Sequence, residues 1–141
     1  MEPAREPGAR PADDRPFFDA RTAPGDVLVG LLDGRVAGYA TLAPATPLPS
    51  GAHVLTLNGV AVEQRARRAG VGRALVAAAA AEARARGARR MTLRVLAGNE
   101  PARRLYESLG FVVEGVQRQE FLLEGRYVDD VLMALDLATR G

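Results

Sequence analysis

Glycine and arginine carry the chemistry that this sequence shows most directly. Val54 to Leu75 reads VLTLNGVAVEQRARRAGVGRAL. Its apolar, β-branched run ends with Val60, Ala61 and Val62, and an Arg-rich loop follows. Then come Arg67, Arg68, Ala69, Gly70, Val71, Gly72 and Arg73, and an Ala-rich helix begins. Strand, glycine turn and helix N-terminus in this order make an anion site. Glycine lets backbone approach a ligand closely, and the first helical N–H groups lack intrahelical acceptors and carry partial positive charge. Arg67, Arg68 and Arg73 add full charges beside those amides. The stretch therefore reads as a phosphate cradle.

The rest of the composition removes competing chemistries. The chain has no cysteine, one histidine (His53) and two serines (Ser50 and Ser108), which argues against thiolate catalysis, a Ser–His triad and a multi-histidine metal site. All 19 basic residues are arginine, so no lysine is available for a Schiff base. Net charge is +2, unevenly spread: residues 63–104 hold a balance of +8 and residues 105–141 one of −4. No aromatic residue lies between Val62 and Leu105, so the basic stretch has no stacking platform, and no nucleic-acid partner is expected. No apolar run approaches a membrane span, and residues 1–26 lack the apolar core of a signal peptide. The expected location is the cytoplasm.

Eight elements must position the cradle. Residues 1–25 carry five prolines and are expected to be mostly irregular, with Phe17 and Phe18 pinning one short turn; residues 26–137 form the domain. Asp26–Leu32 and Arg35–Leu42 flank Asp33-Gly34, a two-residue hairpin signal. His53–Val62 is a third strand, in which Gly59 invites a bulge or a close backbone approach. A helix over 71–86 buries Leu75, Val76 and Ala79 and ends at Gly87. Arg90–Leu96 is a short buried strand, parallel to the preceding one because a helix crosses between them. Asn99-Glu100-Pro101 opens a second helix that carries Ala102, Leu105, Tyr106 and Leu109 on one face. Phe111–Leu123 and Arg126–Leu137 make a long hairpin about Glu124-Gly125. The fold class is α/β on one mixed, mostly antiparallel sheet.

Two familiar phosphate loops do not fit. A dinucleotide fingerprint needs a third glycine and a later acid, which Gly70-Val71-Gly72-Arg73-Ala74-Leu75 and Arg94-Val95-Leu96 do not supply. A P-loop needs lysine. Arg67-Arg68-Ala69-Gly70-Val71-Gly72 instead resembles the R/Q-x-x-G-x-G/A element of the GNAT acyl-CoA N-acyltransferase superfamily. Leu93-Arg94-Val95 with Asn99, Ala102, Leu105-Tyr106 and Leu109-Gly110-Phe111 is similar to that family's second signature. The ending Glu114-Gly115, Arg118, Gly125 to Asp129 and Met133 resembles the branch acting on amino acids and other small amines. The resemblance covers about residues 26–137.

It implies a central parallel strand pair that splays to hold coenzyme A, with a shortened N-terminal strand and helices. Acetyl-CoA is the implied cosubstrate, without a metal, and a small-molecule primary amine the implied acceptor, attacking the thioester directly in a ternary complex. The pantetheine arm would lie along Val60, Ala61 and Val62, and the pyrophosphate on the amides of Arg68 to Arg73. A backbone N–H near Val62 would stabilise the oxyanion. Asn99 would cap its helix and reach the coenzyme, and Tyr106 would protonate the leaving thiolate. By position alone Tyr106 is a core-packing residue. Relatives carry a carboxylate base on the third strand, where this chain has Thr56 and Asn58, so no base is assigned; Glu120, Asp129 and His53 are candidates, and Glu63 reads as loop surface. A homodimer is the family-level expectation. Two alternatives stay open: a protein or peptide N-acetyltransferase, and a non-catalytic acyl-CoA-binding module.

Overall fold

The computed structural model describes residues 26–138, apart from the side chains of Arg65 and Arg68. The Pro-rich segment 1–25 lies outside the described residues. Six strands and two helices run in the order β1 (Val27–Leu32), β2 (Arg35–Pro44), β3 (Val54–Val62), α1 (Val71–Ala85), β4 (Arg90–Leu96), α2 (Glu100–Ser108), β5 (Val112–Leu123) and β6 (Arg126–Asp136). The strands make one sheet in the order β1-β2-β3-β4-β6-β5. Short 3-10 helices occupy Pro49–Gly51 and Gln64–Ala69, so the expected Arg-rich loop is a helical turn. The chain divides into two compact units, and β2, β3 and α1 contribute residues to both.

The first unit holds, among described residues, 26–41 and Gly59–Ala78. β1 and β2 pair antiparallel from Val27↔Thr41 to Leu32↔Arg35, with one irregularity at Gly30/Leu31. Asp33 and Gly34 both have positive φ, the twist-matched geometry of a tight hairpin. Val71 and Leu75 of α1 are buried against this hairpin, and its glycines set how closely they pack. A Cβ at Gly30 would meet Val71 Cγ1 at 3.0 Å, and one at Gly38 would meet the Ala61 carbonyl oxygen at 2.6 Å and Leu75 Cδ1 at 3.1 Å. The close approach expected at Gly59 is thus at Gly38 instead. A Cβ at Gly59 would sit 3.4 Å from Thr41 Oγ1, an ordinary contact. Glu63 N–H donates to Ala37 O at 2.7 Å where β3 ends.

The second unit holds Leu42–Asn58 and, among described residues, 79–138. β3 and β4 run parallel, as the helical crossover predicts, through Val54↔Arg90, Leu55↔Met91 and Thr56↔Thr92. β4 pairs with β6 over its whole length, Arg90↔Asp136 to Leu96↔Asp130. Alternation along β4 buries Met91, Leu93 and Val95, which join Val131, Met133 and Leu57 in the core. Ala79, Ala80 and Ala83 of α1 are buried as well. Asn99 caps α2, its side chain accepting from Ala102 N–H at 3.3 Å. The four apolar-face residues of this stretch, Ala102, Leu105, Tyr106 and Leu109, are all half-buried. Register shifts interrupt β5 between Val113 and Gly115 and between Gln117 and Phe121.

Gly38→Ala is expected to lower stability by about 1–3 kcal/mol, because its Cβ meets fixed backbone rather than a side chain that can yield. Urea unfolding checks this, with Gly98→Ala as the control for a position where a Cβ meets no atom within 4 Å and φ is not left-handed. A midpoint for Gly38→Ala equal to wild type would remove the close contact as a constraint.

Candidate active site

The cradle lies in the first unit. The 3-10 turn Gln64–Ala69 ends at Gly70, which takes left-handed φ of 82°, and α1 starts at the next residue. The first helical bond is Ala74 N–H to Gly70 O at 3.0 Å, so the amides of Val71 and Gly72 precede the hydrogen-bonded ladder. The first turn of α1 holds no acidic residue, and Arg73 on that turn is exposed. An anion there would meet N–H groups and the positive end of the helix dipole, with no acidic residue in the first helical turn. These residues fit a phosphate group. Arg67 is exposed, and its Nε donates to Val62 O at 3.3 Å, which ties the turn to the end of β3. Beside the cradle, β1 and the first turns of α1 line an apolar groove of about 500 Å³, which the sequence did not disclose. It holds no titratable side chain and can do no acid–base chemistry.

Asn99 and Tyr106 lie in the second unit, on α2. Tyr106 packs edge-on against buried Phe111, with ring centroids 5.8 Å apart. Burial raises its phenol above the usual tyrosine value, because the phenolate loses hydration there. Tyr106 consequently stays protonated at neutral pH, as a proton donor must.

The candidate bases fare differently. His53 is exposed just before β3, and its carbonyl accepts from Arg89 and Arg90 N–H groups, at the end of the β3–β4 pair opposite Leu96. Asp129 Oδ1 accepts the N–H of Gln119 at 2.8 Å, bracing a residue with φ of 53° at the β5 irregularity. Glu120 is exposed. Thr56 Oγ1 donates to Thr92 O at 3.2 Å, on the last rung of the parallel ladder.

Two side-chain groups on β4 escaped sequence reasoning. Arg90 forms a two-pronged bond to Glu114, at 2.8 and 3.0 Å. That bond raises the guanidinium further and holds the Glu114 carboxyl below the usual range. Arg94 bonds Asp130 at 3.0 Å and Gln117 at 3.1 Å. Both need the β4–β6–β5 register to be seen. Charge alternation along the three strands is the only signal in the sequence.

Comparison with known proteins places this arrangement. The model of the Acetyltransferase (GNAT) family matches residues 1–111. The L-amino acid N-acyltransferase MnaT of Escherichia coli (strain K12) is 34% identical over 131 residues, which is 92% of this chain and 76% of the relative. Among solved structures, yncA of Salmonella typhimurium, held with its cofactor acetyl-CoA, superposes with a TM-score of 0.75 at 30% identity. That match covers 82% of this chain and 66% of the other. A ribosomal-protein-alanine N-acetyltransferase of Brucella melitensis gives 0.72 at 34% identity, over 78% and 67% of the two chains. The chain belongs to the GNAT acetyltransferase family, and its sheet and parallel strand pair are that family's fold. No helix among the described residues is long and apolar enough to cross a membrane.

The phenol of Tyr106 is expected to ionise above the ordinary tyrosine range. Burial favours its neutral form more strongly in the folded than in the unfolded state, so this group costs stability as pH rises past the unfolded tyrosine pKa. A tyrosinate absorbance titration of wild type minus Tyr106→Phe isolates it. A difference curve with its midpoint at the value of free tyrosine would show that the ring is not desolvated.

Proposed function

We propose that this chain transfers the acetyl group of acetyl-CoA to the primary amine of an amino acid or related small metabolite. The observation that carries the reading is the acid-free helix start behind Gly70, in a chain of this family. Kinship to an L-amino acid N-acyltransferase supports the acceptor class. Val60, Ala61 and Val62 would lie along the pantetheine arm. Arg68, Gly70, Val71, Gly72 and Arg73 would hold the pyrophosphate, with Ala69 supplying backbone and Arg67 bracing the turn. Bound there, acetyl-CoA supplies an activated acetyl thioester. Backbone N–H near Val62 would meet negative charge developing on the carbonyl oxygen. Tyr106 Oη, protonated at neutral pH, would give its proton to the departing thiolate, and Asn99 would orient the start of its helix. The reaction needs no metal in this reading.

A second reading is transfer to the N-terminal amine of a protein, favoured by the ribosomal-protein-alanine N-acetyltransferase relative. Release of CoA from acetyl-CoA against amino acids, polyamines, aminoglycosides and peptides beginning with alanine separates the two. Amino acids are expected to be turned over. A response confined to peptides would replace the first reading with the second. Acetyl-CoA binding without release to any amine would favour a binding module.

Two variants test the roles. Tyr106→Phe is expected to bind acetyl-CoA normally and to transfer about 10²–10⁴-fold more slowly. Unchanged turnover would remove Tyr106 as the acid. Gly70→Asp is expected to abolish acetyl-CoA binding in calorimetry, since it places a carboxylate and a strained left-handed residue where the pyrophosphate would sit. Unaltered affinity would overturn the cradle.

A further inference from the structure

The sheet surface of the second unit holds an arginine that its ion-pair partner does not account for. Arg94 lies on β4 between buried Leu93 and buried Val95, so it points to the opposite face. Asp130 reaches that same face, since its β4 partner in register is Leu96, two residues on from Arg94. The Asp130 side chain is 3% exposed, whereas that of Arg94 is 54% exposed. A guanidinium serving only to neutralise a buried carboxylate would be expected to be covered with it. Here both bonds run through one nitrogen, Nη1, to Asp130 Oδ2 at 3.0 Å and Gln117 Oε1 at 3.1 Å. The group is held on one side by two strands, β5 and β6. Among the described residues nothing bonds its Nε–Nη2 edge. That edge presents two parallel N–H donors, the fork that matches a carboxylate. Orienting the donors beforehand removes much of the entropy cost a mobile surface arginine would incur on binding.

We propose that Arg94 is a binding residue for the carboxylate of the acceptor amino acid, with Asp130 and Gln117 as its positioning residues. This rests on the amino-acid reading of the reaction. It makes the acceptor a molecule with a free carboxylate, rather than a polyamine, an aminoglycoside or an internal stretch of a protein.

The test measures binding of N-acetylalanine, N-acetylleucine and N-acetylphenylalanine and of their carboxamides, with CoA present, by titration calorimetry. Wild type is expected to prefer at least one acid over its amide by about ten- to hundredfold. Arg94→Gln combined with Asp130→Asn removes the guanidinium without leaving a buried charge unpaired, and is expected to abolish that preference while amide and CoA affinities stay unchanged. Arg94→Lys keeps the charge but loses the fork, and is expected to retain only part of the preference. No preference for the acid in any pair, or equal loss of acid and amide in the double variant, would overturn the assignment. Carboxylate-selective binding without acetyl transfer would leave Arg94 in place and remove the enzymatic reading; transfer to amines without carboxylate preference would do the reverse.

Discussion

The left-handed conformation of Gly70 is the constraint on which the proposed anion site depends. The chain leaves β3, makes a 3-10 turn over Gln64–Ala69 and must reverse its backbone sense before α1 begins at Val71. A residue with a Cβ would resist that geometry by about 1–2 kcal/mol, and glycine does not. Once Gly70 turns, the N–H groups of the next residues lie at the open helix end. An acid in that first turn would have capped the helix and spoiled the site for an anionic ligand. None is there.

β4 supplies the second organising constraint. It pairs with β3 over three residues, Arg90 to Thr92, and with β6 over seven, Arg90 to Leu96. One edge is therefore held along its length and the other only at its start. The Thr56 hydroxyl bonds the Thr92 carbonyl on the last parallel rung, a polar contact placed where the ladder ends. The faces of β4 divide as sharply as its edges. Met91, Leu93 and Val95 enter the core, while Arg90 and Arg94 reach across to carboxylates on β5 and β6.

Removing Arg94 alone would leave the buried Asp130 carboxylate without its partner, which is costly. The pair is therefore weak evidence for stability and stronger evidence for orientation. The same distinction separates the two β4 ion pairs. Arg90–Glu114 is exposed on both sides, and exposed pairs of this kind contribute about 0–1 kcal/mol. Arg94–Asp130 sets a direction, because its carboxylate is buried in the sheet while its guanidinium is exposed.

Much of this was legible from local pattern. β4 has the expected bounds, and both helices start at the expected turn, because periodicity, glycine stops and an Asn cap are read over a few residues. The left-handed turn at Gly70 and the helix start behind it were legible for the same reason: they belong to consecutive backbone groups. What the sequence left open depends on residues far apart in the chain. The close contact falls at Gly38 because β3 brings the Ala61 carbonyl there, whereas Gly59, equally a strand glycine, meets only Thr41 at ordinary distance. Tyr106 was legible as an apolar-face residue, but its raised pKa comes from burial that helix packing creates. Arg94 and Asp130 are 36 residues apart, and no local pattern joins them. The sequence by itself determined the glycine turn ahead of α1 and the elements around it. Only the tertiary structure decided which charged side chains meet, because strand register sets which faces they share.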